Sequence, residues 1–154
     1  MKPSEPLPLY HSWPLFDRER QLGVAGLFNG CESTLSRLVA SAADGQALAC
    51  KGIGLWECTL ADSRLNWSAG VYDLFGLPRG STVDREETVA LYCEESRAAM
   101  ERLRAYAIRH RRGFTINVEI RPSLTRRQWI RLSAAPLIEG GKVVRLHGVK
   151  QLLS

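Results

Sequence analysis

Four cysteines, three histidines and two pairs of adjacent carboxylates are the residues of this 154-residue chain whose types could carry chemistry. Cys31, Cys50, Cys58 and Cys93 contain no Cys-x-x-Cys pair. His11, His110 and His147 stand at no zinc-finger spacing from them. Glu86-Glu87 and Glu94-Glu95 fit solvated helix starts better than an acid–base pair. No Ser/His/Asp or Cys/His set accompanies a phosphate-binding glycine loop. Gly23-Val-Ala-Gly26 fits a weak point in a helix, and Gly140-Gly141 a hairpin. The chain is therefore expected not to be an enzyme. A different chemistry is offered by Arg121, Arg126, Arg127 and Arg131, with Trp129 interleaved. Such a surface can stack nucleic-acid bases, and Trp and Arg are equally the favoured anchors of protein contacts.

The charge that supports these surfaces is unevenly placed. The net charge is +5; residues 1–50 hold four Lys/Arg against five Asp/Glu, and the remainder seventeen against eleven. A basic C-terminal part admits nucleic acid or an anionic surface, while a solvated arginine coat accounts for the same numbers. Hydrophobic residues at 45% and charged residues at 24% are those of an ordinary globular domain. Met1-Lys2 is followed by prolines rather than by an apolar signal core, and no apolar run approaches the ~20 residues of a membrane span. A reduced, cytoplasmic protein without membrane insertion is expected.

The elements that must position these residues follow from periodicity. Residues 1–16 form a proline-rich arm with Pro3, Pro6, Pro8 and Pro14. Residues 17–51 read as a helical extension, in two pieces weakened at Gly23, Gly26 and Gly30, with Leu35, Leu38 and Val39 at helical spacing and an end near Asp44-Gly45. Residues 46–51 then read as a short helical lead-in to the domain, residues 52–154. Residues 53–60 and 64–67 are expected as a strand hairpin turned by Ala61-Asp62-Ser63. Short helices are expected over residues 71–75 and within 85–92. Residues 94–110 give the clearest helix, acidic at its start, basic at its end and stopped by Gly113. Residues 114–120 alternate apolar and polar, residues 122–127 turn the chain, and residues 128–136 alternate again. Residues 143–149 return after the Gly140-Gly141 connection. The fold class is α+β.

Read in order, the motifs resemble the PAS domain family with its PAC half. Gly54-Leu55-Trp56 matches the start of its first strand, Trp67-Ser68 its aromatic-Ser pair, and Phe75-Gly76-Leu77 its Phe-Gly-Leu turn. Phe114, Glu119 and Arg121, then Trp129-Ile130, then Leu146-x-Gly148-Val149 match the PAC strands. The resemblance spans about two thirds of the chain. It implies a five-stranded antiparallel sheet with short helices and one long helix on one face, preceded by N-terminal helices. Two positions depart from the pattern. Cys93 stands where proline is common, which is expected to loosen the start of the long helix. Leu152, Leu153 and Ser154 stand where an Asp-Ile-Thr-like triplet usually leads to an effector.

The resemblance further implies a small internal cavity, with Leu74, Phe75, Leu91, Met100, Leu103, Ile116, Val118, Ile130 and Leu132 as candidate lining. It implies an outward sheet face as well, where Trp56, Trp129 and Arg131, together with Leu35, Leu38 and Val39, are candidates for contact with the N-terminal helices or a second subunit. No metal site is expected. A small organic ligand is compatible with the cavity. Haem and flavin are disfavoured, because His110 lies at the cationic end of its helix and no cysteine has the Asn-Cys-Arg-like surroundings of a flavin photosensor. The expected function is a sensory and protein-interaction module in signal transduction, acting as a homodimer and passing its output to a kinase or cyclase in another chain, or through the N-terminal helices. A basic nucleic-acid-binding regulator is the alternative, and a haem-based gas sensor comes last.

Overall fold

The computed structural model describes residues 42–153; the proline-rich arm, the stretch up to residue 41 expected to be helical, and with it Leu35, Leu38 and Val39, lie outside the described residues. Helix α1 (Ala42–Cys50) leads into β1 (Ile53–Thr59) and β2 (Arg64–Trp67). Three helices follow, α2 (Ala69–Phe75), α3 (Arg85–Val89) and α4 (Glu94–His110). Strands β3 (Phe114–Ser123), β4 (Arg126–Glu139) and β5 (Lys142–Leu152) complete the chain. All five strands join one antiparallel sheet of order β2-β1-β5-β4-β3, the α+β arrangement expected. The last strand is thereby the central one.

Alternation along the strands decides which face is buried. Val118 and Ile120 of β3, Ile130, Leu132 and Ala134 of β4, and Leu146 of β5 point into one core with Val71, Leu74 and Phe75 of α2 and Met100, Leu103 and Ala107 of α4. Two glycines let α2 lie directly on β1. A Cβ at Gly70 would stand 2.1 Å from the Ile53 carbonyl oxygen, and one at Gly54 would stand 2.4 Å from the Val71 amide nitrogen. Arg79, just beyond α2, holds Asp73 through two hydrogen bonds of 3.0 and 2.6 Å, and its Nη1 donates to Gln46 of α1 at 2.6 Å. This bond keeps the Asp73 carboxyl below its usual range.

Four local features differ from the sequence expectation. The helix expected to end near Asp44-Gly45 runs through both residues to Cys50; Gly45 is buried, and α1 packs on α2 and β1, so tertiary contact overrides the glycine. Pro122 lies within β3 rather than in the turn. That is tolerated because β3 is an edge strand and the pairing slips between Ile120 and Ser123. Helix α4 is closed not by Gly113 but by Arg111, in the left-handed region at φ 57°. Gly113 serves instead a close passage, since a Cβ there would meet the Ala134 carbonyl oxygen at 2.7 Å. Finally, Cys93 does not loosen the start of α4. It adopts a proline-like φ of −64° and donates its N–H to the Glu119 carbonyl at 2.9 Å, a bond that proline cannot make.

Candidate functional site

A cavity of about 60 Å³ lies between the inward face of the sheet and helices α3 and α4. Its floor is Trp56 and Cys58 of β1, Leu65 and Trp67 of β2, and Phe114, Leu132, Leu146 and Lys150 of the other strands; Arg85, Thr88, Tyr92, Met100 and Arg104 close the helical side. Each of these positions has a local cause. Trp56 and Trp67 are register partners across the β1–β2 hairpin, so their indoles share the inward face. Ser68 fixes the hairpin to α2: its hydroxyl accepts from the Leu55 N–H at 2.8 Å and its own N–H donates to the Leu55 carbonyl at 2.9 Å. Asp84 caps α3, accepting from the Glu87 N–H at 2.8 Å, and so presents Arg85 and Thr88 to the cavity. Tyr92 is drawn in by a bridge to Ile120 on the β3 edge.

Lys150 is the unusual member. It pairs with Gly54 on one side and Leu132 on the other, two residues beyond Gly148 and four beyond Leu146 on the same face. The residue is only 6% exposed. Its ammonium stands over four rings, at 4.9 Å from the centre of Phe75, 5.4 Å from Trp56, 5.5 Å from Trp67 and 5.8 Å from Tyr92. Trp67 stacks on Phe75 at 5.3 Å and meets Tyr72 edge-on at 5.1 Å, which holds the cage rigid. No hydrogen bond or salt bridge reaches Lys150 from the described residues. Burial lowers its pKa from 10.5 to about 7; the Cys58 thiol acts in the opposite sense, and Arg85 adds to the lowering. Burial also pushes the Tyr92 phenol well above its usual range, so Tyr92 stays neutral.

Two further donors belong to the same lining. The indole N–H groups of Trp56 and Trp67 are both buried and both lack an acceptor. A buried donor left unpaired costs about 1–3 kcal/mol, so two in one lining, beside the Lys150 ammonium, is a concentrated penalty. Among the described residues no carboxylate belongs to the lining, and Glu101, which acts on Tyr92, is taken by Arg85 in an ion pair. The outward face of the sheet carries its own polar group. Glu57, 5% exposed, receives Arg145 at 3.1 Å and Asn66 at 3.2 Å.

No family model matches the chain, and no curated protein does. Solved structures match instead. An RNA-binding light-oxygen-voltage receptor superposes with a TM-score of 0.59 at 16% identity, over 66% of this chain and 29% of that one. The N-terminal domain of a diguanylate cyclase with a PAS/PAC sensor from Marinobacter aquaeolei gives 0.59 at 15%, over 65% and 94%. A sensory box histidine kinase/response regulator from Burkholderia thailandensis gives 0.59 at 17%, over 70% and 82%. The described domain has the PAS fold.

Within this PAS domain the residues read from the sequence fall in three groups. Met100 and Leu132 line the cavity. Leu74, Phe75, Leu103, Val118 and Ile130 are buried in the core around it, and Leu91 and Ile116 pack partly buried against that core. Trp129 is half exposed on the outward face, and Arg131 stands beside it, donating to Asn117 at 3.2 Å. Trp56 is a correction: expected on the outward face, it is 7% exposed and turned into the cavity, because Gly54, Trp56 and Cys58 share the inward phase of β1. His110 is exposed and packed on Tyr106 at 4.2 Å, away from the cavity. A dry cavity of 150 Å³ is what benzene occupies, so 60 Å³ does not fit a haem or a flavin ring system. Sequence reasoning missed Lys150, Trp67 and Tyr92. The signal for Lys150 was present in the phase of β5, where Leu146, Gly148 and Lys150 alternate on one side.

Proposed function

We propose that this PAS domain is a non-catalytic sensory and protein-interaction module that works as a homodimer and relays occupancy of its cavity through the sheet. The observation that carries the reading is the division of β4. Ile130 and Leu132 face the core and cavity, while Trp129 and Arg131, one residue out of phase, face outward. A change in side-chain packing on one face therefore shifts a strand whose other face bears the large exposed aromatic. A population shift between two such arrangements is all that a relay requires. The N-terminal residues are the natural second contact of the outward face, and a kinase or cyclase on another chain the natural recipient, as the cyclase- and kinase-borne neighbours illustrate. Among the described residues no helix is long and apolar enough to cross a membrane, which agrees with a cytoplasmic place of action.

Sedimentation of the full chain at low and high salt tests the proposal. A dimer held by an apolar sheet face persists in high salt. A monomer at all salt concentrations, with salt-sensitive binding of oligonucleotides, would replace this reading by that of a nucleic-acid-binding regulator.

A further inference from the structure

We infer that the cavity at Lys150 is a receptor site for a short aliphatic monocarboxylate, whose oxygens meet the Lys150 ammonium and the indole N–H groups of Trp56 and Trp67. The inference rests on the sensory reading above and names its ligand class. The Lys150 ammonium and the two buried indole N–H groups of Trp56 and Trp67 belong to residues that line one cavity, and none of the described residues gives them an acceptor. Whatever completes the site must bring acceptors and no donors, as a carboxylate does.

Charge and shape narrow the choice. Lys150 is the buried cation of the lining and calls for one negative charge; Arg85 is engaged by Glu101, and Arg104 is only partly buried. The remaining lining is largely apolar, including Met100, Phe114, Leu132 and Leu146, which suits a hydrocarbon tail and penalises a fully hydrated inorganic anion. A water needs roughly 10–15 Å³ of such space. About 60 Å³ is less than half of the space that holds benzene's six non-hydrogen atoms, so the tail must be short, as in acetate or propionate. The four rings around the ammonium keep it charged as the anion arrives.

The groups facing Lys150 allow its titration to be followed. Its neighbours in the lining are Arg85 of α3, Arg104 of α4, Cys58 of β1, the neutral Tyr92, and Phe114 and Leu132 of β3 and β4, with Glu101 held by Arg85. A carboxylate binds the ammonium form. With the free-protein pKa near 7, affinity falls about tenfold for each pH unit above that value, and binding at higher pH takes up one proton.

Calorimetric titration of the full chain with sodium propionate at pH values below and above 7 tests this, with sodium phosphate and sodium chloride as comparison anions. Propionate is expected to bind, with the stated loss above neutrality. Lys150→Met should abolish binding while the protein still unfolds cooperatively. Trp56→Phe and Trp67→Phe, which retain the ring and remove the N–H, should each weaken binding about fivefold to tenfold. Equal binding of phosphate and propionate, undiminished binding by Lys150→Met, or no binding by the wild type overturns the site. Propionate binding that leaves self-association unchanged upholds the site and removes the relay, whereas a salt-stable dimer that ignores propionate removes the site alone.

Discussion

At Lys150 the physics of a single side chain sets how the domain responds to pH. A folded pKa of about 7 against 10.5 in the unfolded chain means that unfolding takes up a proton throughout that interval. Stability therefore rises with pH between about 7 and 10, and the full penalty of the buried charge is present below 7. Each unit of pKa difference corresponds to about 1.4 kcal/mol, and the ring faces around the ammonium offset part of it. Urea unfolding of the wild type should show the midpoint climbing over this window. Lys150→Met, which fills a similar volume without a charge, should flatten the profile and raise stability at neutral pH by about 1–3 kcal/mol. Parallel pH profiles for the two proteins would refute the assignment.

Among the elements, the seat of α2 on β1 is the least forgiving. The chain approaches itself so closely at Gly70 and Gly54 that no side chain fits, with a Cβ at Gly70 falling 2.1 Å from the Ile53 carbonyl oxygen. Because backbone atoms on both sides define the clash, neither can yield as a flexible side chain would. Gly70→Ala should destabilise the domain by about 2–4 kcal/mol, seen as a lowered unfolding midpoint, and should open the aromatic cage through Phe75. Near-UV circular dichroism of Trp67 and Phe75 reports that opening; an unchanged spectrum and midpoint would contradict the packing described. Much at this scale was legible in the sequence. The bounds of α4 were read as residues 94–110, and the three C-terminal strands were found by alternation. What escaped were places where a neighbour decides: Gly45 inside a helix, Pro122 inside an edge strand, and Arg111 rather than Gly113 at the end of α4.

For the whole molecule, the sheet separates two faces with different tasks. The inward face holds the core and the cavity; the outward face holds the buried Glu57–Arg145 pair and, further along, the exposed Trp129. Trp129 at 49% exposure contributes little to the fold, so Trp129→Ala should weaken self-association markedly and shift the unfolding midpoint by less than about 0.5 kcal/mol equivalent. Sedimentation equilibrium and urea unfolding of the same variant separate the two effects. Loss of stability with self-association intact would place Trp129 in the fold rather than in the contact. The basic charge of the domain gathers at the C-terminal end of α4 and the β3–β4 turn, with Arg79, Arg85 and Arg145 engaged by carboxylates.

The amino-acid order alone determined the α+β class, the antiparallel C-terminal strands, the long helix and the family likeness, because period and turn composition are local properties of the chain. Tertiary structure alone decided that Trp56 turns inward, that β5 runs through the middle of the sheet, and that Lys150 enters a ring of aromatics with no acceptor in reach among the described residues. The physical reason is that a strand's phase tells which residues share a face, while which strands stand beside it, and hence what that face meets, depends on pairings between segments nearly a hundred residues apart, such as Gly54 with Lys150.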